Sequence, residues 1–280
     1  MARIVLITHE YDRFSNRRGL FHRHNRYMFA TAVPELRARG HTCIVLQGLG
    51  DRPQGDAALL HVDATVTPQD YVDYASSFPI CVNLRATDIS KRKISQAVVE
   101  PGGSWEGPVI VKSNYNHGGS PEQHLNRMAR RSGRPMPFPE ARRLKDYRVY
   151  DHSSEVPPEA FDDAALVVEQ FLPEREKDGY AMRHWIFCGD GELCGRFVSR
   201  SPLVKGGDIF RFEPAEVPQD LRRRRQELGI DFGKFDFAVH DGKSYLFDAN
   251  KTPGAAPRNV DAISPATLAD GFEGLIRGIL

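Results

Sequence analysis

The chain has 280 residues, 40% of them hydrophobic and 27% charged, and its 38 basic residues nearly cancel its 37 acidic ones to leave a net charge of +1. A chain of this length buries a sizeable core without cross-links. The charge balance excludes a global field for nucleic acid or anionic membranes, so any basic site is local. The cysteines, Cys43, Cys81, Cys188 and Cys194, show neither C-x-x-C spacing nor a Cys/His zinc pattern and fit reduced thiols. No apolar run approaches the ~20 residues of a membrane span. Met1-Ala2-Arg3 runs into a strand-like segment without the apolar length of a signal peptide. The expectation is a soluble cytoplasmic protein with no membrane or nucleic-acid partner, and nothing in the sequence states its oligomeric state.

In chain order, the apolar run at 3–8 predicts a strand buried on both faces of a parallel sheet. A polar, basic stretch at 9–26 follows. Phe29, Val33 and Leu36 share helical spacing, with Gly40 as a C-cap and Pro34 against the helix. Strands at 43–47, 58–62 and 79–83, with a helix at 68–77, complete an α/β pattern over residues 1–90. Residues 91–280 read differently. A strand at 108–112 ends in a lysine and is followed by a Gly-Gly loop, and 113–148 reads as irregular, with prolines at 121, 135, 137 and 139. Strands follow at 165–170, 182–188, 193–199, 235–240 and 244–248. His240-Asp241-Gly242 turns the last hairpin. Ser264-Pro265 opens a final helix whose apolar face is Leu268, Phe272, Leu275, Ile276 and Ile279. This half reads as α+β with antiparallel strands.

Three segments carry chemistry. Lys112, at a strand end before Gly118-Gly119-Ser120, suits an anion: the lysine is a point charge, and glycines let several N–H groups converge. The same residues also read as a strand followed by a surface turn. In Val-Val-Glu169-Gln-Phe-Leu172-Pro-Glu-Arg-Glu176, a strand ending in an acid offers polar groups to a purine edge and to ribose hydroxyls, or simply ends in solvated acids. The third segment is Asp236, then Asp248-Ala-Asn250-Lys-Thr-Pro253-Gly254. Asp248 and Asn250 lie two apart on one strand and share a face, and Asp236 can join them across the hairpin. Two carboxylates and an amide oxygen are hard ligands suited to Mg²⁺. Without a cation the carboxylates are expected to repel, so that removing one raises the melting temperature of the metal-free protein.

These three segments, in this order behind an α/β unit, resemble the ATP-grasp superfamily over residues 80–256, nearest to the D-alanine–D-alanine, glutathione synthetase and RimK-like ligases. The resemblance implies a Rossmann-like pre-ATP-grasp domain (1–90) and a truncated ATP-grasp module (91–280) that binds ATP with Mg²⁺ or Mn²⁺. It implies a ligase that activates a carboxylate as an acyl phosphate for an amine or thiol; a hydroxyl kinase or a non-catalytic nucleotide-binding protein are the alternatives. By the same resemblance, Asp236, Asp248 and Asn250 hold the metal, and Lys112 and the Gly118-Gly119 loop meet the phosphates. Glu169 and Leu172 meet the adenine and Glu176 the ribose. Arg183, Lys205 and Lys234 contact the transferring phosphoryl group. The first ATP lysine falls to Lys93 or Lys91, and we assign Lys93. The family usually carries Glu where Asp248 stands, and its two ATP lysines lie further apart. Finally, Arg17, Arg18, His22 and His24 lie in a basic loop after the first strand, where ligands sit in open α/β sheets. They are expected to grip a small anionic substrate, though a solvated loop fits them as well. The seven arginines at 125–148 match no ligase pattern.

Overall fold

The computed structural model describes residues 1–12, 14, 27–144, 146–204, 206–255 and 262–279. The chain opens with β1 (Arg3–Thr8), α1 (Ala32–Ala38), β2 (Thr42–Gln47), β3 (Ala57–Leu60), α2 (Gln69–Ala75) and β4 (Ile80–Val82). The four strands form a parallel sheet in the order β2-β1-β3-β4. In β1, Ile4 and Leu6 enter one core, whereas Val5 and Ile7 enter another. A strand covered on both faces therefore reads as a continuous apolar run rather than an alternating one.

The next elements are α3 (Lys91–Ile94), β5 (Val109–Ser113), α4 (Ser120–Arg131), β6 (Arg148–Tyr150), α5 (Glu159–Asp162) and β7 (Leu166–Gln170). Strands β6, β5 and β7 form a small antiparallel sheet. Helix α4 corrects the expectation of an irregular 113–148. Pro121 sits in its first turn, where its missing N–H costs nothing. Glu122, Leu125, Asn126 and Ala129 form its buried face.

A larger sheet follows, from β8 (Glu174–Glu176), β9 (Gly179–Cys188), β10 (Gly191–Ser199), β11 (Ile209–Pro214), then α6 (Gln219–Leu228), β12 (Phe232–His240) and β13 (Lys243–Asn250). Its order is β11-β10-β9-β12-β13, with β8 pairing the start of β9, and all pairs are antiparallel. Asp241 takes φ +50° and Gly242 φ +76° in the β12–β13 turn, the left-handed pair a tight hairpin requires.

Helix α7 (Pro265–Leu275) is capped by Ser264, whose hydroxyl accepts the Thr267 N–H. Its Leu268 and Phe272, with Ile276, pack against Ile4 and Leu6 of the N-terminal sheet, against Phe29 and Leu36 of the turn and helix that cover it, and against Ile186 and Phe232 of the large sheet. One core thus joins the beginning and end of the chain. It fixes the carboxyl ends of the parallel sheet beside the end of β13. There Thr252 donates its hydroxyl to Asp63 Oδ1 at 2.9 Å, and Tyr27 donates to Asp63 Oδ2 at 2.9 Å.

Candidate functional site

The small and large sheets face each other across a cleft lined by residues of both. Its lining is part apolar, with Ile110, Leu172, Met182, Leu203, Ala238 and Phe247, and part charged or polar, with Lys91, Lys112, Glu169, Asp236, Asp248 and Tyr147. Strand pairing explains the charged part. Ile110 lies opposite Glu169 in the β5–β7 pair, so Lys112, two residues on, shares the face of Glu169. Lys112 Nζ stands 2.5 Å from Glu169 Oε2 and also reaches the Phe247 carbonyl at 3.5 Å. Glu169 is fully buried. Burial pushes its carboxyl up, against the pull of Lys112 and Lys91.

In the β12–β13 hairpin Asp236 lies directly opposite Asp248, and Lys234 opposite Asn250. All four side chains therefore leave the same face, as the two-residue spacing of Asp248 and Asn250 predicts. The carboxylates do not face each other bare, which corrects the expected repulsion. Lys91 Nζ is 3.0 Å from Asp248 Oδ1, and Lys234 Nζ is 2.9 Å from Asp236 Oδ1. Burial alone would raise the Asp236 carboxyl, but Lys234, His184 and Lys91 outweigh it and hold it low. Burial would likewise lower both lysines, but Asp248 acting on Lys91 and Asp236 acting on Lys234 raise them. Asp236, Asp248, Lys91 and Lys234 thus form a charged square of two ion pairs.

A divalent cation still fits this donor set. Asp236 Oδ1 and Asp248 Oδ1 are buried and have ammonium neighbours, yet neither accepts a hydrogen bond of good geometry. Asn250 Oδ1 accepts from the Thr252 N–H at 2.9 Å and lies 3.3 Å from the Thr252 hydroxyl, whose shorter bond goes to Asp63. These are hard oxygen donors of the kind Mg²⁺ takes beside phosphate. Among the described residues no group of three His, Cys, Asp or Glu side chains forms a metal cluster, so the set here is two carboxylates and an amide.

Other expected residues fall elsewhere. Lys93 is 56% exposed and reaches toward Asp88, whereas Lys91, two residues earlier, is 3% exposed and lines the cleft. The short helix α3 turns the two in different directions, and Lys91 goes inward with Ile94. Lys91 also donates to the Tyr115 carbonyl at 3.0 Å. Arg183 lies opposite Phe237 and Arg196, and its guanidinium makes a paired contact with Glu174 at 3.0 and 2.9 Å. It is not a lining residue of the cleft. Its neighbour His184 is the one that lies opposite Asp236, 3.5 Å away, with burial lowering the imidazole to about 4. Glu176 is held by Arg196 and Arg211, so its carboxylate is already engaged. Leu172 lines the cleft.

Gly118 and Gly119 take φ +64° and +78° in a turn touching β13. A Cβ would stand 2.8 Å from the Leu144 carbonyl at Gly118 and 2.6 Å from the Arg142 carbonyl at Gly119. The loop is therefore packed under 142–144 rather than open, and only glycine fits. Lys205, Arg17, Arg18, His22 and His24 lie outside the described residues. Sequence reasoning missed His184, which two-residue alternation from Met182 could have found. It also missed Tyr147, for which the sequence carries no signal.

No family model and no curated protein matches the chain. Solved structures do. The chain is similar to D-alanine–D-alanine ligase from Bacillus anthracis, at 14% identity and TM-score 0.50, over 100% of this chain and 98% of that one. It is similar to a RimK domain ATP-grasp protein from Sphaerobacter thermophilus, at 14% identity and TM-score 0.50, over 99% and 100%. It is also similar to the ATP-grasp ligase PsnB, solved with a phosphomimetic variant of its minimal precursor, Mg and ADP, at 14% identity and TM-score 0.52, over 98% of both chains. Likeness at this identity shows the fold.

Proposed function

Because this chain has the ATP-grasp fold, we propose that it is a Mg²⁺-ATP-dependent ligase that activates a carboxylate for attack by an amine or thiol. The observation that carries this reading is the cleft itself. Leu172 and Met182 line the same cleft as two buried lysines and two facing carboxylates with orphaned oxygens. Residues 1–90 and 91–280 are taken as the two domains. The apolar lining takes the adenine, with the Leu172 backbone at its edge. Lys91 and Lys112 neutralise the phosphates, and Glu169 holds Lys112 in place. Asp236, Asp248 and Asn250 are the residues that would hold Mg²⁺ or Mn²⁺, which when bound supplies charge neutralisation on the phosphate chain.

In the reaction a substrate carboxylate oxygen attacks the γ-phosphorus and ADP leaves. The nucleophile then attacks the acyl carbon, loses its proton, and phosphate departs. The work for the protein is positioning and charge neutralisation, to which Lys234 contributes beside the transferring group. The same resemblance assigns Lys205 to that group. We keep Arg17, Arg18, His22 and His24 as the grip on an anionic substrate.

The test is ADP release with Mg²⁺-ATP and panels of acids and nucleophiles. The acids include acidic peptides as well as small molecules. ADP appearing only when acid and nucleophile are both present supports a ligase. ADP appearing with one hydroxyl acceptor identifies a kinase. A thermal shift with ATP but no ADP release from any pair identifies a binding protein.

A further inference from the structure

Between β5 and β6 the chain leaves the small sheet for more than thirty residues before returning. This excursion is tied to the N-terminal sheet. Glu122 Oε1 accepts the Thr65 N–H at 2.6 Å, and the Asn116 N–H donates to Thr65 Oγ1 at 2.8 Å. Leu125 joins Val5, Ile7 and Leu60 in a shared core. On its way back the chain passes over the Gly-Gly turn. The Leu144 N–H donates to the Gly118 carbonyl at 3.1 Å, and the Leu144 carbonyl sits where a Cβ on Gly118 would clash.

That contact places Tyr147 in the cleft. Its hydroxyl lies 3.9 Å from the position of that absent Cβ. Tyr147 lines the cleft with Lys91, Asp248 and Glu169, burial raises its phenol, and all three of those groups act on its charge. Lys91, Asp248 and Glu169 have partners in this structure; the Tyr147 hydroxyl makes no hydrogen bond among the described residues.

We propose that Tyr147 is a ligand-contacting residue of the nucleotide site, donating its hydroxyl to the phosphate chain of bound ATP. This rests on the reading of the cleft as an ATP site. The position decides the partner. A ligand group beside Lys91 and Lys112 is an anion, since both are buried ammonium groups lining the same cleft as Tyr147. A phenol donates to a phosphate oxygen, and a hydrogen bond to a charged acceptor in a partly dry cleft is among the stronger ones. The donor arrives already positioned, because the excursion that carries it is packed on a rigid sheet and on a turn that only glycine allows.

The experiment compares wild type and Tyr147→Phe by calorimetric titration with Mg²⁺-ATP and, separately, with adenosine. Phenylalanine keeps the ring and removes only the donor, and melting of the ligand-free variant within about 1 °C of wild type checks the fold. Expected is a rise in Kd for Mg²⁺-ATP of about tenfold with adenosine binding unchanged. Equal losses for both ligands would make Tyr147 a wall of the cleft and overturn the phosphate contact. Unchanged or tighter ATP binding overturns it as well, the tighter case making Tyr147 an obstruction. A wild type that binds neither ligand refutes the ATP reading of the cleft, and this contact falls with it.

Discussion

Replacing Asp248 by Asn tests the charged square most directly. The substitution keeps the shape and removes the charge that faces Lys91, 3.0 Å away. Removing one partner of a buried ion pair costs roughly 3–5 kcal/mol, because the other charge is left unpaired. Here Lys91 is 3% exposed but Asp248 is 25% exposed, and Lys91 keeps the Tyr115 carbonyl. Solvent screening and the remaining partner reduce the cost to about 2 kcal/mol. For a chain of this size that lowers the melting temperature of the metal-free protein by roughly 4–8 °C. Scanning calorimetry in chelator reads it directly. The double variant Lys91→Met/Asp248→Asn should recover most of the loss, since an apolar chain does not need the partner. ATP turnover in Asp248→Asn should fall by about a hundredfold or more. If Asp248→Asn melts at or above wild type in chelator, the two carboxylates repel after all and the ion pair with Lys91 contributes nothing.

Three further outcomes are expected. Lys91→Ala raises the Kd for Mg²⁺-ATP by about tenfold or more, while Lys93→Ala leaves it within about twofold, because only the first lysine lines the cleft; equal effects in titration calorimetry would refute that distinction. Arg183→Gln destabilises by about 1–2 kcal/mol through the loss of its paired contact with Glu174 but leaves ATP affinity unchanged; intact melting with lost binding would put Arg183 on the cleft face. Burial, with Asp63 nearby, raises the Asp12 carboxyl from 3.8 to about 7. Folding therefore takes up a proton there: this contribution to stability is full below about pH 4, is lost as pH rises toward about 7, and changes no further above it. Asp12→Asn should melt higher than wild type at pH 8 and close to it near pH 4, and a constant difference across melts at several pH values would contradict the raised carboxyl.

The sequence by itself determined the features that depend on neighbours along the chain. Continuous apolar runs marked the buried parallel strands, and a two-residue period put Asp248 and Asn250 on one face, with Asp236 across a legible hairpin turn. The lysine near the end of β5 and the acid of β7 were visible for the same reason, although not that they pair with each other. The same period, extended from Met182, would have sent Arg183 away from the face of Asp236 and His184 toward it. The tertiary structure decided what depends on segments distant in sequence. Whether Lys91 or Lys93 enters the cleft is set by how a one-turn helix docks on β13, and four residues carry too little periodicity to say. The charge balance of the metal-type site depends on Lys91, which comes from 157 positions before Asp248. Helix α4 and Tyr147 were hidden because a proline-rich, arginine-rich stretch has little apolar pattern of its own; it becomes ordered by packing on the N-terminal sheet and on two glycines.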